Sequence, residues 1–234
     1  MAGYDKNLMT TCREAADRLT QAYLEAVDME NPPTPEAAAS GLLAAAADGF
    51  REHNAGVTES ERWDIPAELD AHQIAALVLK FHTVCLLPWP TVWPDEPDTA
   101  RDHCRLHVYQ EHGMDAGLYT TDILSVIEAF VPEVDLFTEQ DVEDLLRDSA
   151  EVRERQDPED FVAVDEGILN SRTGEISAFS PEYVFTKRSQ YEYGEWMLTW
   201  RKPRTSECRA AAGSRLPRMM PRSRMAPGYG CGME

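Results

Sequence analysis

The sequence predicts an α+β protein, and two observations carry this prediction. Over most of the first 90 residues, apolar side chains recur at steps of three and four, which is the spacing of one helix face. Between residues 160 and 180, short β-prone runs such as Phe161–Val164 are separated by turns that contain Gly167 and Gly174. We therefore expect a mostly helical amino-terminal part, followed by a small mixed domain with a β-hairpin or meander.

Capping residues and prolines set the expected helix boundaries. Thr34-Pro35-Glu36 offers an N-cap, a first-turn proline and an acid, and Thr58 and Glu61 have capping-box spacing. Pro88 ends the helical pattern before it. The predicted helices are Leu8–Met29, Ala37–Phe50, a short turn at Thr58–Glu61, Ala67–Leu86, Ile123–Phe130 after Thr121-Asp122, and Glu139–Ala150 capped by Thr138.

Alternating or continuous β-prone runs predict the strands. These are Leu106–Tyr109, Gly117–Tyr119, Phe161–Val164, Ile168–Asn170 and Glu175–Phe179. After the last strand, Ser180-Pro181-Glu182 has the order of a helix start, with Ser at the N-cap and Pro at the first position. We expect a meander of short strands that leads into a capped helical turn.

Composition divides the chain into three parts. Trp93–Asp98 is rich in proline and acid and predicts a linker between a helical region, 1–95, and an α+β domain, 96–200. Residues 201–234 are rich in Arg, Pro, Met and Gly and lack periodicity, so we expect a disordered tail.

The charge follows the same division. Residues 201–234 contain eight Lys/Arg and two Asp/Glu, so residues 1–200 contain 14 and 40, a net charge of −26. A protein region this acidic repels phosphate over most of its surface. We therefore expect that residues 1–200 do not provide the main DNA-binding surface.

The sequence favours a cytoplasmic protein without a membrane partner. No apolar run reaches the length of a membrane span, and the amino terminus lacks the apolar core of a signal peptide. The five cysteines are scattered and form no C-x-x-C pair, which argues against a disulfide framework and a cysteine-rich zinc ribbon.

One part of the chain resembles a known family. Asp165–Asn170 (DEGILN), Arg172–Ile176 (RTGEI) and Phe179–Thr186 (FSPEYVFT) resemble the region just upstream of the ATPase in phage- and plasmid-type primase–helicases, whose motor is a superfamily-3 helicase. Leu106–Tyr109 and Gly117–Asp122 resemble it too, so the likeness covers about residues 105–200. Glu166 departs from the pattern, because the family usually has Asn before the first glycine.

The motor of that family is missing from the chain. An ATPase of this class needs a G-x-x-x-x-G-K-[ST] phosphate loop, and the sequence contains none. In the family the ATPase would follow about Trp200, where the basic tail begins instead. We therefore expect a chain that is truncated or frameshifted there, with no catalytic residues and no cofactor of its own.

Three other patterns are weak candidates for a site. The two helices at 123–130 and 139–150 and the hairpin after them have the order of a winged helix-turn-helix, but acids would face the DNA from the second helix. His103, Cys104, His107 and His112 have no spacing that aligns them as metal ligands, so we expect no metal site. The carboxylates within 157–166 are typical of a solvated face.

The best nucleic-acid candidate combines cations and aromatic rings. Tyr183, Lys187, Arg188 and Tyr191 interleave the two kinds of side chain that stack on bases and neutralise phosphates, so they are the predicted contacts for single-stranded DNA. The alternative is that Tyr183 belongs to the core and that the two cations balance nearby acids.

The resemblance implies an accessory region of a replicative primase–helicase that acts in the DNA replication of a mobile element. Its expected partners are replication proteins or a helicase ATPase module, and single-stranded DNA. The charge supports an alternative: an acidic protein that mimics DNA and inhibits a nucleic-acid-binding partner. A nonfunctional remnant is the third possibility.

Overall fold

The computed structural model describes residues 6–88, 101, 103–157 and 159–189. Its five α-helices are α1 (Lys6–Ala26), α2 (Pro35–Gly56), α3 (Ala71–Phe81), α4 (Ile123–Phe130) and α5 (Leu136–Ser149), with a short 3-10 helix at Glu59–Glu61. Its strands are β1 (Val84–Pro88), β2 (Cys104–Tyr109), β3 (Tyr119–Thr120), β4 (Glu151–Val152), β5 (Phe161–Val164), β6 (Gly167–Asn170) and β7 (Ile176–Ser177). The predicted α+β class is confirmed. The predicted linker at 93–98 and the predicted disordered tail at 201–234 lie outside the described residues.

Side-chain caps begin the helices α2 and α4 where the sequence predicts. The Thr34 hydroxyl accepts a hydrogen bond from the backbone N–H of Ala37, and Asp122 caps α4 in the same way. The predicted cap of α5 is wrong: Asp135, not Thr138, accepts from the backbone N–H groups of Phe137 and Thr138. The helix therefore starts one turn earlier than the capping pattern at Thr138 suggested.

The predicted helix Ala67–Leu86 is wrong at both ends. Asp70 caps α3 by accepting from the Gln73 N–H at 2.9 Å, and the helix ends at Phe81. Beyond it, Val84–Pro88 is the strand β1. Its apolar residues Cys85, Leu86 and Leu87 are fully buried, because β1 lies inside a sheet that is covered on both faces. A continuous apolar run of this kind has no period that distinguishes a strand from a buried helix.

A mixed four-stranded sheet forms the centre of the fold. Its strand order is β3-β2-β1-β4, with β1 antiparallel to β2 and parallel to β4. β2 has the predicted partner strand, but this strand, β3, begins at Tyr119 rather than at residue 117; it pairs antiparallel with β2 through Tyr109 and Tyr119. One face of the sheet, including Leu86, Leu106 and Val108, packs against the helices.

The main core does not divide near residue 95, where the sequence predicts a domain boundary. The same hydrophobic cluster contains Ala38 and Leu42 of α2, Leu77 of α3, and Ile127 and Leu146 of α4 and α5. Strand β1 precedes the predicted boundary, and its antiparallel partner β2 follows it. The helical region and the start of the mixed region therefore share one core.

The opposite face of the central sheet carries a second, smaller cluster. It contains Cys85, Leu87, Tyr109 and Tyr119, and it is completed by Val184 from far along the chain.

Within the described residues, none of the helices has both the length and the apolar character that crossing a bilayer requires.

Candidate functional site

Residues 161–177, which lie within the predicted family resemblance, form a three-stranded antiparallel meander. Its order is β5-β6-β7, as predicted. Gly167 and Gly174 have φ values of +147° and +77°, which confirms the prediction that glycines permit these turns. The Asn170 side chain supports the second turn, since its oxygen accepts from the backbone N–H groups of Arg172 and Thr173 at 2.9 and 3.1 Å.

After β7 the chain makes one hydrogen-bonded turn, in which the Tyr183 N–H donates to the Ser180 carbonyl at 3.1 Å, and the helix start predicted at Ser180-Pro181-Glu182 does not continue beyond this turn. Ser180 does accept from the backbone N–H of Glu182, but no helix follows. The reason is tertiary. The carbonyl of Phe185 accepts from the Tyr119 N–H at 2.7 Å, and the carbonyl of Val184 accepts from the Gln156 N–H at 3.1 Å. These backbone groups bond to other parts of the chain, so they are not available to a helix.

The segment that follows this turn covers the second face of the central sheet. Val184 is 1% exposed and packs in the cluster with Tyr119, while Phe185 packs in a third cluster with Leu118 and Ile168 of the meander. The segment therefore joins the meander to the central sheet. Residues on which the predicted family resemblance depends, such as Val184 and Phe185, therefore have a packing role in this fold.

Arg153 anchors the same segment. One guanidinium nitrogen donates to the Tyr119 hydroxyl and to the Pro181 carbonyl, both at 2.8 Å, and the other donates to the Glu182 carbonyl at 2.6 Å. The Tyr119 hydroxyl itself donates to the Pro181 carbonyl at 2.6 Å. Burial is the main reason why the pKa of Tyr119 is raised to about 12, which keeps its hydroxyl protonated as a donor.

The described members of the predicted nucleic-acid set have different environments. Arg188 donates to the Ala116 carbonyl, its guanidinium lies 5.3 Å from the centre of the Phe179 ring, and it is 3.7 Å from the Asp165 carboxylate. Tyr183 is half-buried, and its ring centre lies 5.0 Å from that of Phe161.

Lys187 is exposed, and Tyr191 lies outside the described residues. The contacts of Arg188 and Tyr183 fit the alternative interpretation, in which these two residues serve packing and charge balance. Lys187 is the described member of the set that could reach a phosphate without giving up an internal contact.

The candidate metal and DNA-reading groups are dispersed. Cys104 faces the main core, whereas His107 on the same strand is buried and contacts the Arg105 carbonyl through Nδ1 at 2.9 Å. In the described part of the chain, no three His, Cys, Asp or Glu side chains are arranged to hold a metal ion. Helix α5, the second helix of the weak helix-turn-helix candidate, buries Val142 and Leu146, as expected of a packing helix.

The carboxylates around residue 160 have local roles. Asp157 accepts from the backbone N–H of Glu159 at 2.8 Å, and Asp160 pairs with Arg172 across the meander. Because these acids point to turns and to an ion pair, they form no converging pair of the kind that binds Mg²⁺.

Sequence reasoning missed a set of arginines that bind backbone carbonyls. Seven arginines lie between residues 101 and 188. Five of them donate to carbonyl oxygens at remote positions: Arg101, Arg147, Arg153, Arg155 and Arg188. No local pattern marks such a residue, because its partners are 28 to 72 positions away. The sequence contains one indirect signal of their role: residues 1–200 contain few Lys and Arg for so many Asp and Glu.

Comparison with models of known protein families and with curated proteins finds no match to this chain. The resemblance to primase–helicases therefore stays a prediction.

Proposed function

We propose that the chain is an accessory region of a phage- or plasmid-type replicative primase–helicase, and that it acts through protein contacts. In this role it would stand beside an ATPase that assembles on DNA, without hydrolysing ATP or gripping DNA strongly itself. The family part of the proposal depends on the resemblance of residues 105–200.

The arrangement of the arginines supports the second part of the proposal, that the chain acts through protein contacts. Five of the seven arginines between residues 101 and 188 bind carbonyls of the chain itself. A surface that binds DNA presents its guanidinium groups to phosphates. Here most of these groups are engaged in holding loops and strand ends, and the net charge of residues 1–200 is −26. This combination supports a role that does not depend on phosphate contacts.

The proposal is tested with the full chain and the superfamily-3 ATPase module from the same genetic element. We expect a complex on size-exclusion chromatography and a change in the DNA-stimulated ATP hydrolysis of the module. The chain alone should release no phosphate from ATP, with or without single-stranded DNA. Lack of a complex together with an unchanged hydrolysis rate would contradict the accessory role, and ATP hydrolysis by the chain alone would contradict its noncatalytic character.

The charge also favours a second candidate, an acidic inhibitor that occupies the DNA site of a basic protein. Such an inhibitor should displace labelled DNA from its target, and the displacement should weaken strongly with added salt. Displacement of DNA without binding to the ATPase module would favour the inhibitor. Binding to the module without displacement would favour the accessory region.

A further inference from the structure

An open cleft lies between the amino-terminal helices and α5. Its volume is about 720 Å³, and α1, α2, the start of α3 and α5 all line it. The apolar part of its surface comes from Ala16, Ala46, Phe50 and Leu145. Ala46 and Phe50 are buried, whereas Ala16 and Leu145 are partly exposed, so the cleft has an apolar floor that solvent can reach.

The rim of this cleft is acidic. Asp141, Asp144 and Asp148 occupy positions i, i+3 and i+7 of α5, so they form one stripe along the helix, about 10 Å long at 1.5 Å per residue. Glu68 adds a carboxylate from the loop before α3. All four residues are exposed, and their carboxylates form no ion pair with any residue that the structure describes.

The other charged groups of the cleft do not neutralise this stripe. Arg13 lines the same cleft, but its guanidinium contacts the His72 ring and forms no ion pair with the stripe in the described part of the chain, and Asp70 uses its carboxylate to cap α3. The Asp141, Asp144 and Asp148 stripe therefore presents three negative charges beside an apolar surface that includes Leu145. Three like charges along one helix face repel one another, so an occupant with matching positive charges would relieve that repulsion.

We propose that this cleft binds a basic amphipathic helix of a partner protein. Its apolar side chains would lie on the floor, and its Lys or Arg side chains, spaced at three and four positions, would meet the stripe on α5. The complementary charges and the length of the stripe favour an extended helical segment over a compact cation, and the carboxylates exclude nucleic acid. This inference goes beyond both functions proposed above and depends on neither.

The test uses the full chain and a fluorescein-labelled synthetic helical peptide of about 18 residues, a length at which helices begin to be stable. The peptide carries Lys at positions i, i+3, i+7 and i+10 and Leu along an adjacent stripe. A scrambled peptide of the same composition is the control probe. Fluorescence anisotropy should show salt-sensitive binding of the patterned peptide and at least about tenfold weaker binding of the scrambled one.

A matched pair of triple variants locates the binding. Asp141→Asn, Asp144→Asn and Asp148→Asn together should weaken the patterned peptide about tenfold, since three exposed ion pairs are lost at once. The control combines Glu128→Gln, Glu154→Gln and Glu166→Gln, which are exposed and lie outside the cleft. It changes the net charge equally and should leave the affinity unchanged.

Cys12 supplies an independent readout inside the cleft. It lines the cleft and is partly exposed. N-ethylmaleimide alkylates the Cys12 thiol, and the reaction is run at mildly alkaline pH because burial raises the pKa of this thiol. Peptide mapping then measures the rate at Cys12, which should fall when the patterned peptide is bound.

Four results would overturn the proposal: no binding of the patterned peptide, equal binding of the scrambled peptide, equal weakening by both triple variants, or unprotected Cys12. Spermine that displaces the peptide at the peptide's own concentration would also overturn it, since charge alone would then suffice.

Discussion

Replacing Arg153 by Met should release the segment that closes the second face of the central sheet. The guanidinium donates to the Tyr119 hydroxyl and to the carbonyls of Pro181 and Glu182, at 2.6 to 2.8 Å. The guanidinium carbon, Cζ, also lies 5.9 Å from the centre of the Tyr119 ring. Methionine keeps much of the aliphatic stem but removes all three donated bonds and the positive charge.

The cost of this change is smaller than three separate hydrogen bonds would suggest. A hydrogen bond to a charged group contributes about 1.5–3 kcal/mol net. The Pro181 carbonyl keeps its bond from the Tyr119 hydroxyl, and water can replace the bond to exposed Glu182. We therefore expect the free energy of unfolding to fall by about 2 kcal/mol. Arg153→Lys should recover about half of this, because an ammonium group cannot reproduce the forked geometry.

Urea unfolding, followed by circular dichroism and by tryptophan fluorescence, measures this change. Arg62→Met is the matched control, since Arg62 is exposed and should shift the free energy of unfolding by no more than about 0.5 kcal/mol. A double-mutant cycle with Tyr119→Phe should give a coupling of about 1 kcal/mol, because the two side chains share the Pro181 carbonyl. Equal effects of Arg153→Met and Arg62→Met, or strictly additive effects in the cycle, would refute this account of the anchor.

Three further predictions concern the turns, the buried histidine and the exposed lysine. Gly167→Ala should lower the free energy of unfolding by about 3 kcal/mol, because φ is +147° and the new Cβ would lie 2.2 Å from the Ser177 carbonyl oxygen. Gly113→Ala, with φ +86° and open space around it, should cost only about 1 kcal/mol in the same urea assay. Burial lowers the pKa of His107, so the folded state favours the neutral ring. The free energy of unfolding should therefore fall as the pH drops below about 6.5, where the ring becomes protonated in the unfolded chain. In His107→Gln, the free energy of unfolding should change less between about pH 7.5 and pH 5. Lys187→Glu should weaken any salt-sensitive binding of single-stranded DNA without changing stability, as measured by anisotropy and thermal unfolding.

Each of these predictions has a result that contradicts it. Equal losses at Gly167 and Gly113 would show that the Ser177 carbonyl moves aside. An unchanged pH profile for His107→Gln would place the acid sensitivity elsewhere. For Lys187, the comparison variant is Arg188→Glu, which should reduce stability because it breaks the contacts to Ala116 and Phe179. Full DNA binding by Lys187→Glu would remove this residue from the predicted interface.

Arg188 shows why the sequence alone could not distinguish exposed cations from those that make internal contacts. In the sequence, Lys187 and Arg188 are equivalent neighbours between aromatic residues. In the fold, Arg188 turns inward to the Ala116 carbonyl, 72 positions away, while Lys187 remains exposed. No local rule decides which of two adjacent cations meets a distant carbonyl.

The sequence by itself determined the features that depend on neighbouring residues. The cap at Thr34, the capping box at Thr58 and Glu61, and the glycine turns of the meander all occur where the residues predict them. Each involves contacts within a few positions, so backbone preference and local hydrogen bonding suffice.

Only the tertiary structure decided the features that depend on remote partners. The run Val84–Pro88 became a strand because β2 and β4 flank it, and Ser180-Pro181-Glu182 started no helix because Val184 and Phe185 bond to remote backbone groups. The boundary near residue 95 failed for the same reason, since one core draws side chains from both sides of it. Long-range burial and backbone pairing outweigh local propensity, which contributes less than about 1 kcal/mol per residue.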